Sequence, residues 1–247
     1  MKNLLLLLLY ILQASFLMAQ APGYDDLKIL YADADYEKLV KKAESYTLKD
    51  KTSKDVLPFI WMAKGLYKIS LSDINDEKYK NAYKDALKFM GKGIKYDIKY
   101  NEMMTVQEHE DFLHELQLSL QLRVEQEMST GDVGGFKKGF SWALKYDKIT
   151  TNRIVVKYVS GACKYNSGDK PGARREWQEG EAMLQEIESV EGWSEADKNM
   201  MKMGVLYSAK AMMEANQKDS ARALLGKVAQ WFEGDSDWQV RYDEIVN

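Results

Sequence analysis

Apolar residues recur along this chain at spacings of three and four, with short polar breaks between the runs. After Asp35 come Leu39, Val40, Ala43 and Tyr46; after Asp132 come Phe136, Phe140, Ala143 and Leu144. After Asp169 come Ala173, Trp177 and Gly180; after Asp219 come Ala223, Leu224, Val228 and Trp231. That period gathers one stripe of each segment on a single face of an α-helix. The breaks carry turn chemistry: Ala34-Asp35-Tyr36, Gly131-Asp132-Val133, Gly168-Asp169-Lys170 and Lys218-Asp219-Ser220. A glycine before the aspartate takes the positive φ that closes one helix, and the aspartate caps the next. The helix before a turn carries small residues where two helices approach closely, as in Ala63 and Gly65, Gly161 and Ala162, Ala209 and Ala211. The pattern predicts an all-α chain of about five antiparallel helical hairpins. The second covers residues 56–97 and has an enlarged turn at residues 71–77. Stretches around 98–106, 147–152 and 188–196 read as linkers. None is rich in Pro or Ser, so one continuous array is expected, closed by a capping helix begun at Ser236 or Asp237.

Composition agrees. The 247 residues are enough to bury a sizeable core, and 45% are apolar against 30% charged. Only Pro22, Pro58 and Pro171 interrupt long stretches of good helix formers. The formal net charge of −3 gives no overall pull towards nucleic acid. Charge is unevenly spread: residues 36–100 hold 15 Lys and 9 Asp plus Glu, a net of +6, whereas residues 101–247 hold 18 Lys plus Arg and 25 Asp plus Glu, a net of −7. Solvated helix faces account for this; two docking faces for different partners, or head-to-tail association, are the sharper reading.

The first residues change the cellular picture. Met1-Lys2-Asn3 is followed by an apolar run from Leu4 to Met18 and then Ala19-Gln20-Ala21. A positive start, an apolar run and small residues at Ala-x-Ala make a secretory signal, with residues 1–21 removed after Ala19 or Ala21 and residues 22–247 forming the mature domain. The run is short for a membrane span, which needs roughly 20 residues, so no stable membrane insertion is expected after cleavage. No cysteine near the cleavage site offers a lipid anchor, and Cys163, alone in the chain, cannot form an internal disulfide. With no Asn-x-Ser/Thr sequon either, the expected location is the periplasm or cell envelope of a Gram-negative bacterium.

Candidate chemistry is sparse. His109 and His114 are five apart, so their side chains diverge by roughly 140° on a helix, and the pattern reads as solvated helix histidines; no metal site is assigned. Cys163, among small residues, reads as a packed hydrophobe and no nucleophile. Gly91-Lys92-Gly93 lacks the rest of a phosphate loop, and no nucleophile elbow occurs. No catalytic residue and no cofactor are assigned, and the chain is read as no enzyme.

Gly161, Gly168, Asp169 and Ala173 together resemble one tetratricopeptide repeat; Gly131, Asp132, Ala143 and Leu144 resemble another, and Ala34, Asp35 and Tyr36 resemble its turn. The Ala19-Gln20 junction is similar to that of exported proteins of Bacteroidetes-type bacteria. The turns fall near residues 35, 78, 132, 169 and 219, more widely and less evenly spaced than the family's ~34 residues, which implies a divergent variant with long helices. The resemblance implies a right-handed α-solenoid whose first helices line a concave, partner-binding groove. Laid on this sequence, that groove comprises Lys64, Tyr67, Lys68, Gln121, Glu125, Tyr158, Tyr165, Asn166, Ser208 and Met212. The function implied is a protein-binding scaffold or adaptor in the cell envelope, within a secretion or surface assembly, whose partner is another protein or peptide segment and not nucleic acid. A periplasmic binding protein for glycan or another small ligand, using the many Tyr and Trp, is the alternative.

Overall fold

The computed structural model describes residues 23–246 apart from residue 75. The predicted export signal and both of its cleavage points lie outside the described residues. Among the described residues there is no strand, and no helix is long and apolar enough to cross a membrane. Twelve α-helices follow one another among the described residues: α1 Asp25–Ala32, α2 Tyr36–Thr47, α3 Val56–Ser70, α4 Ala82–Tyr100, α5 Met104–Gln107 and α6 Glu110–Ser129. Then come α7 Val133–Tyr146, α8 Ile154–Asn166, α9 Lys170–Leu184, α10 Glu195–Glu214, α11 Lys218–Val228 and α12 Ser236–Val246.

Three of the four predicted turns are built from the chemistry the sequence suggests. Ala34, Gly131 and Gly168 take φ of 56°, 71° and 97° and close α1, α6 and α8. Asp35, Asp132 and Asp169 then accept the amides of Lys38, Gly135 and Gly172 and start α2, α7 and α9. The fourth turn differs. Asn216, at φ 58°, closes α10, and α11 begins at Lys218 behind an uncapped Gln217. Asn tolerates the left-handed conformation, so the turn closes without glycine and Asp219 falls inside the helix instead of capping it. The buried stripe of α11 is Ala221, Leu224, Leu225 and Val228, and Ala223 is exposed. Leu144 of α7, predicted to be apolar core, is also exposed; Tyr146 is buried in its place. The capping helix α12 starts at Ser236, and Asp235 accepts the amide of Trp238.

Consecutive helices pack as α1–α2, α3–α4, α6–α7, α8–α9 and α10–α11. Neighbouring pairs join through α2–α3, α7–α8 and α8–α10. A small N-terminal core holds Tyr24, Leu27, Leu39, Ala43, Trp61 and Met62, and the main core runs from Val56 to Trp238. In the middle of the molecule α6 packs on α7, α7 on α8, α8 on α10, and α10 back on α6. These four helices close a ring around Leu120, Val124, Met128, Phe136, Val159, Cys163 and Met203. Phe136 meets Tyr207 edge-on at 6.0 Å across it. Each such large apolar side chain contributes about 1.5–3 kcal/mol when fully buried, so closing the ring is favoured over leaving a solvent-filled inner face there.

Candidate binding groove

The ring divides the ten nominated groove residues among separate places. Lys64, Tyr67 and Lys68 lie along α3. Tyr67 is buried against Phe112 and Tyr83, and Lys68 pairs with Glu115 at 3.2 Å. The Lys64 ammonium stands 4.8 Å from the Trp61 ring centre, 5.6 Å from Phe112 and 3.2 Å from His109 Nδ1. Burial lowers its pKa. On α6, Gln121 is buried in the ring and donates to the half-buried Glu125 at 2.9 Å. Tyr165 packs on Trp177 at 5.8 Å, and Asn166 donates to the Ala162 carbonyl at 2.9 Å. Ser208 is fully buried. Only Tyr158 and Met212 border a sizeable opening, and it is not the one formed by first helices.

That opening is a cavity of about 700 Å³ where the second helices α9 and α11 stand apart. Its floor is apolar and buried: Tyr158, Trp177, Leu184, Met212 and Leu224. Its rim is polar and exposed, with Arg174, Gln178 and Glu181 from α9 facing Asn216, Lys218, Asp219, Ser220 and Lys227. Arg174, Lys218 and Lys227 have no ion-pair partner among the described residues. On the other flank of α9, by contrast, Lys157 pairs with Glu176 at 3.1 Å and with Glu179 at 2.6 Å.

The floor is held by close approaches the sequence encodes. At Gly161 an added Cβ would stand 2.2 Å from Nε1 of Trp177, so only glycine lets the indole lie against α8. The Trp177 N–H donates to Ser208 Oγ at 2.8 Å, and the Ser208 hydroxyl donates to the Tyr158 carbonyl at 2.8 Å. One serine thus ties α8, α9 and α10 together. The Tyr158 ring passes over Gly180. Tyr158 is 1% exposed, yet its hydroxyl has no hydrogen-bond partner among the described residues. Burial, and then the Glu181 carboxylate, push its pKa above the ordinary value, so it remains a proton donor.

His109 is not the solvated histidine the sequence suggested. It precedes α6 half-buried beside Lys64 and edge-on to Trp61, and burial followed by the Lys64 and Lys28 charges lowers its pKa to about 4. His114 is exposed, with Glu110 at 3.5 Å. Cys163 is completely buried, and burial pushes its thiol up to about 12. Among the described residues no group of three or more His, Cys, Asp or Glu could hold a metal ion. Sequence reasoning missed Arg174, Gln178, Glu181, Lys218 and Lys227. No pattern along either helix marks them; they face one another only because α9 and α11 stand apart in the fold. No family model matches this chain, and no curated protein or solved structure matches it either.

Proposed function

We propose that this chain works by binding another protein, as an exported helical-hairpin scaffold of the cell envelope, and that the groove between α9 and α11 receives a segment of that partner. One observation carries the reading: an apolar, buried floor is bordered by an exposed rim in which Arg174, Lys218 and Lys227 are unpaired. A desolvated apolar centre inside a polar rim is the arrangement of protein interfaces, with the centre supplying most of the energy and the rim the specificity. The packed helices, and the resemblance of Gly161, Gly168, Asp169 and Ala173 to one tetratricopeptide repeat, support a role in assembly; the export signal read over residues 1–21 supports export.

The test is recovery of a partner by the full chain from its host envelope, compared with Arg174→Glu/Lys218→Glu and with Lys51→Glu on a distant surface turn. The rim variant should lose the partner at least tenfold, and the distant variant should keep it. A strictly monomeric chain that recovers nothing, or a partner indifferent to the rim, overturns the proposal. The second reading, a glycan or small-ligand site, draws on the cavity volume, which lies within the ~300–1,000 Å³ of small-molecule pockets. Trp177 and Tyr158 are buried in the floor and do not stand out as stacking platforms, which favours the first reading. A thermal-shift screen with saccharides and metabolites separates the two.

A further inference from the structure

The three stretches read as linkers converge in space. A second cavity, of about 240 Å³, lies where Met103 and Val106, Ile149–Asn152, and Gly192 and Ser194 come together over α6. Its polar lining includes Glu110, His114, Gln117, Thr150, Asn152 and Asp197. No lysine or arginine lines it, although 35 of the chain's 247 residues are Lys or Arg.

Two buried groups there lack the partner their chemistry calls for. Asp197 is 3% exposed. Its carboxylate accepts the Tyr146 hydroxyl at 2.9 Å, the Thr150 hydroxyl at 2.8 Å and the Asn152 amide at 2.8 Å. All three donors are neutral, and no cation pairs with it among the described residues. Buried carboxylates are ordinarily matched by a positive charge. Gln117 is also 3% exposed. Its Nε2 donates to the Ile149 carbonyl at 2.6 Å, which fixes the amide orientation, because a carbonyl oxygen could not donate there. Its Oε1 is therefore a true acceptor, and it is buried with no donor. Three neutral bonds suffice to organise the 150–152 loop; they do not explain the free amide oxygen or the exclusion of basic residues from the whole lining.

We propose that this cavity binds a small organic cation, with an ammonium or guanidinium head set between Asp197 and Gln117 Oε1. Such a head carries N–H donors and a positive charge, which are the two things these groups lack. Its carbon chain lies against Ile94, Val106 and Leu113, and the exposed Glu110 at the mouth attracts it on approach. A divalent metal fits poorly: hard cations demand several oxygen ligands, often more than one carboxylate, and no metal-holding group of acids and histidines occurs among the described residues. The site is independent of the α9–α11 groove and stands or falls without it.

Calorimetric or NMR titration of the full chain tests it. The probes are n-butylammonium and agmatine as free amines, acetyl-lysine amide for a lysine side chain presented by a partner, and 1-pentanol as a neutral control of similar size. Saturable binding of an amine, with none of 1-pentanol, is expected, and the tighter of the two amine classes identifies the natural source. Asp197→Asn and Gln117→Leu should each weaken binding about tenfold or more, and Glu110→Gln by a few-fold. Should Asp197→Asn fail to fold, Gln117→Leu and Glu110→Gln decide the matter, since the first removes an unpaired oxygen and the second is at the surface. No saturable amine binding, equal binding of the alcohol, or affinities untouched by Gln117→Leu and Glu110→Gln overturns the site.

Discussion

Replacing Gly161 by alanine probes the joint between α8 and α9 on which the groove floor depends. The new Cβ would stand 2.2 Å from Nε1 and 2.4 Å from Cδ1 of Trp177, against an ordinary contact of about 3.5–4.0 Å. The indole has to retreat. Overpacking of this kind costs about 1–3 kcal/mol. Retreat also breaks the 2.8 Å bond to Ser208 and leaves a buried donor unpaired, at about 1–3 kcal/mol. Alanine returns about 1 kcal/mol of helix propensity. The net is a loss of about 3 kcal/mol, which for a chain of this size lowers Tm by about 6–12 °C. Gly226 in α11 is the matched control. It is helical and exposed, and a Cβ there meets nothing within 4 Å. Gly226→Ala should gain up to about 1 kcal/mol. The same chemical change should therefore move stability in opposite directions. Thermal and urea unfolding followed by circular dichroism read both variants. A Gly161→Ala chain as stable as the parent, or one that shifts in the same direction as Gly226→Ala, would refute the packing argument.

Ser208→Ala should cost about 1–3 kcal/mol in urea unfolding, and much less once Gly161→Ala is present, because both act through Trp177; simple additivity would show that the serine does not tie the three helices. His109, held near 4, takes its proton later in the folded chain than in the unfolded one, whose histidine titrates near 6.5. The unfolded state therefore binds more protons between those values, so stability falls as pH drops from about 6.5 to about 4 and this contribution levels off below. NMR titration of the two histidines checks it directly, and a His109 midpoint at or above 6 contradicts the burial. Cys163, buried with its thiol pushed up to about 12, should react with a thiol reagent only as fast as the chain opens. Stoichiometric labelling within minutes under native conditions would contradict that.

Much of the architecture was legible because it is local. Asp35, Asp132 and Asp169 cap the helices they precede, and Gly131 and Gly168 close the helices before them, because a cap needs only residues within three positions of one another. The turn at residues 216–219 was misread for a local reason too: Asn216 took the left-handed position, α11 began at Lys218, and Ala221 and Leu225 joined Leu224 and Val228 in its buried stripe. The sites were far less legible. Tyr158 and Met212 were nominated and do border the groove, whereas Arg174, Glu181, Lys218 and Lys227 were read as ordinary solvated charges. On any single helix that is what they are.

The sequence by itself therefore determined that the chain is helical and where three of its turns fall, since i to i+4 periodicity and capping act between neighbours in the chain. Only the tertiary structure decided which faces remain open. Closure of α6, α7, α8 and α10 into a ring buried Gln121, Trp177 of α9 covered Ser208, the parting of α9 and α11 opened the groove, and the meeting of three linkers placed Gln117 and Asp197 in the lining of one cavity. Those outcomes depend on contacts between residues 31 to 51 positions apart, as from Trp177 to Ser208 and from Tyr146 to Asp197, and are set by the total apolar area that packing removes from water. Periodicity along one helix carries no record of that sum.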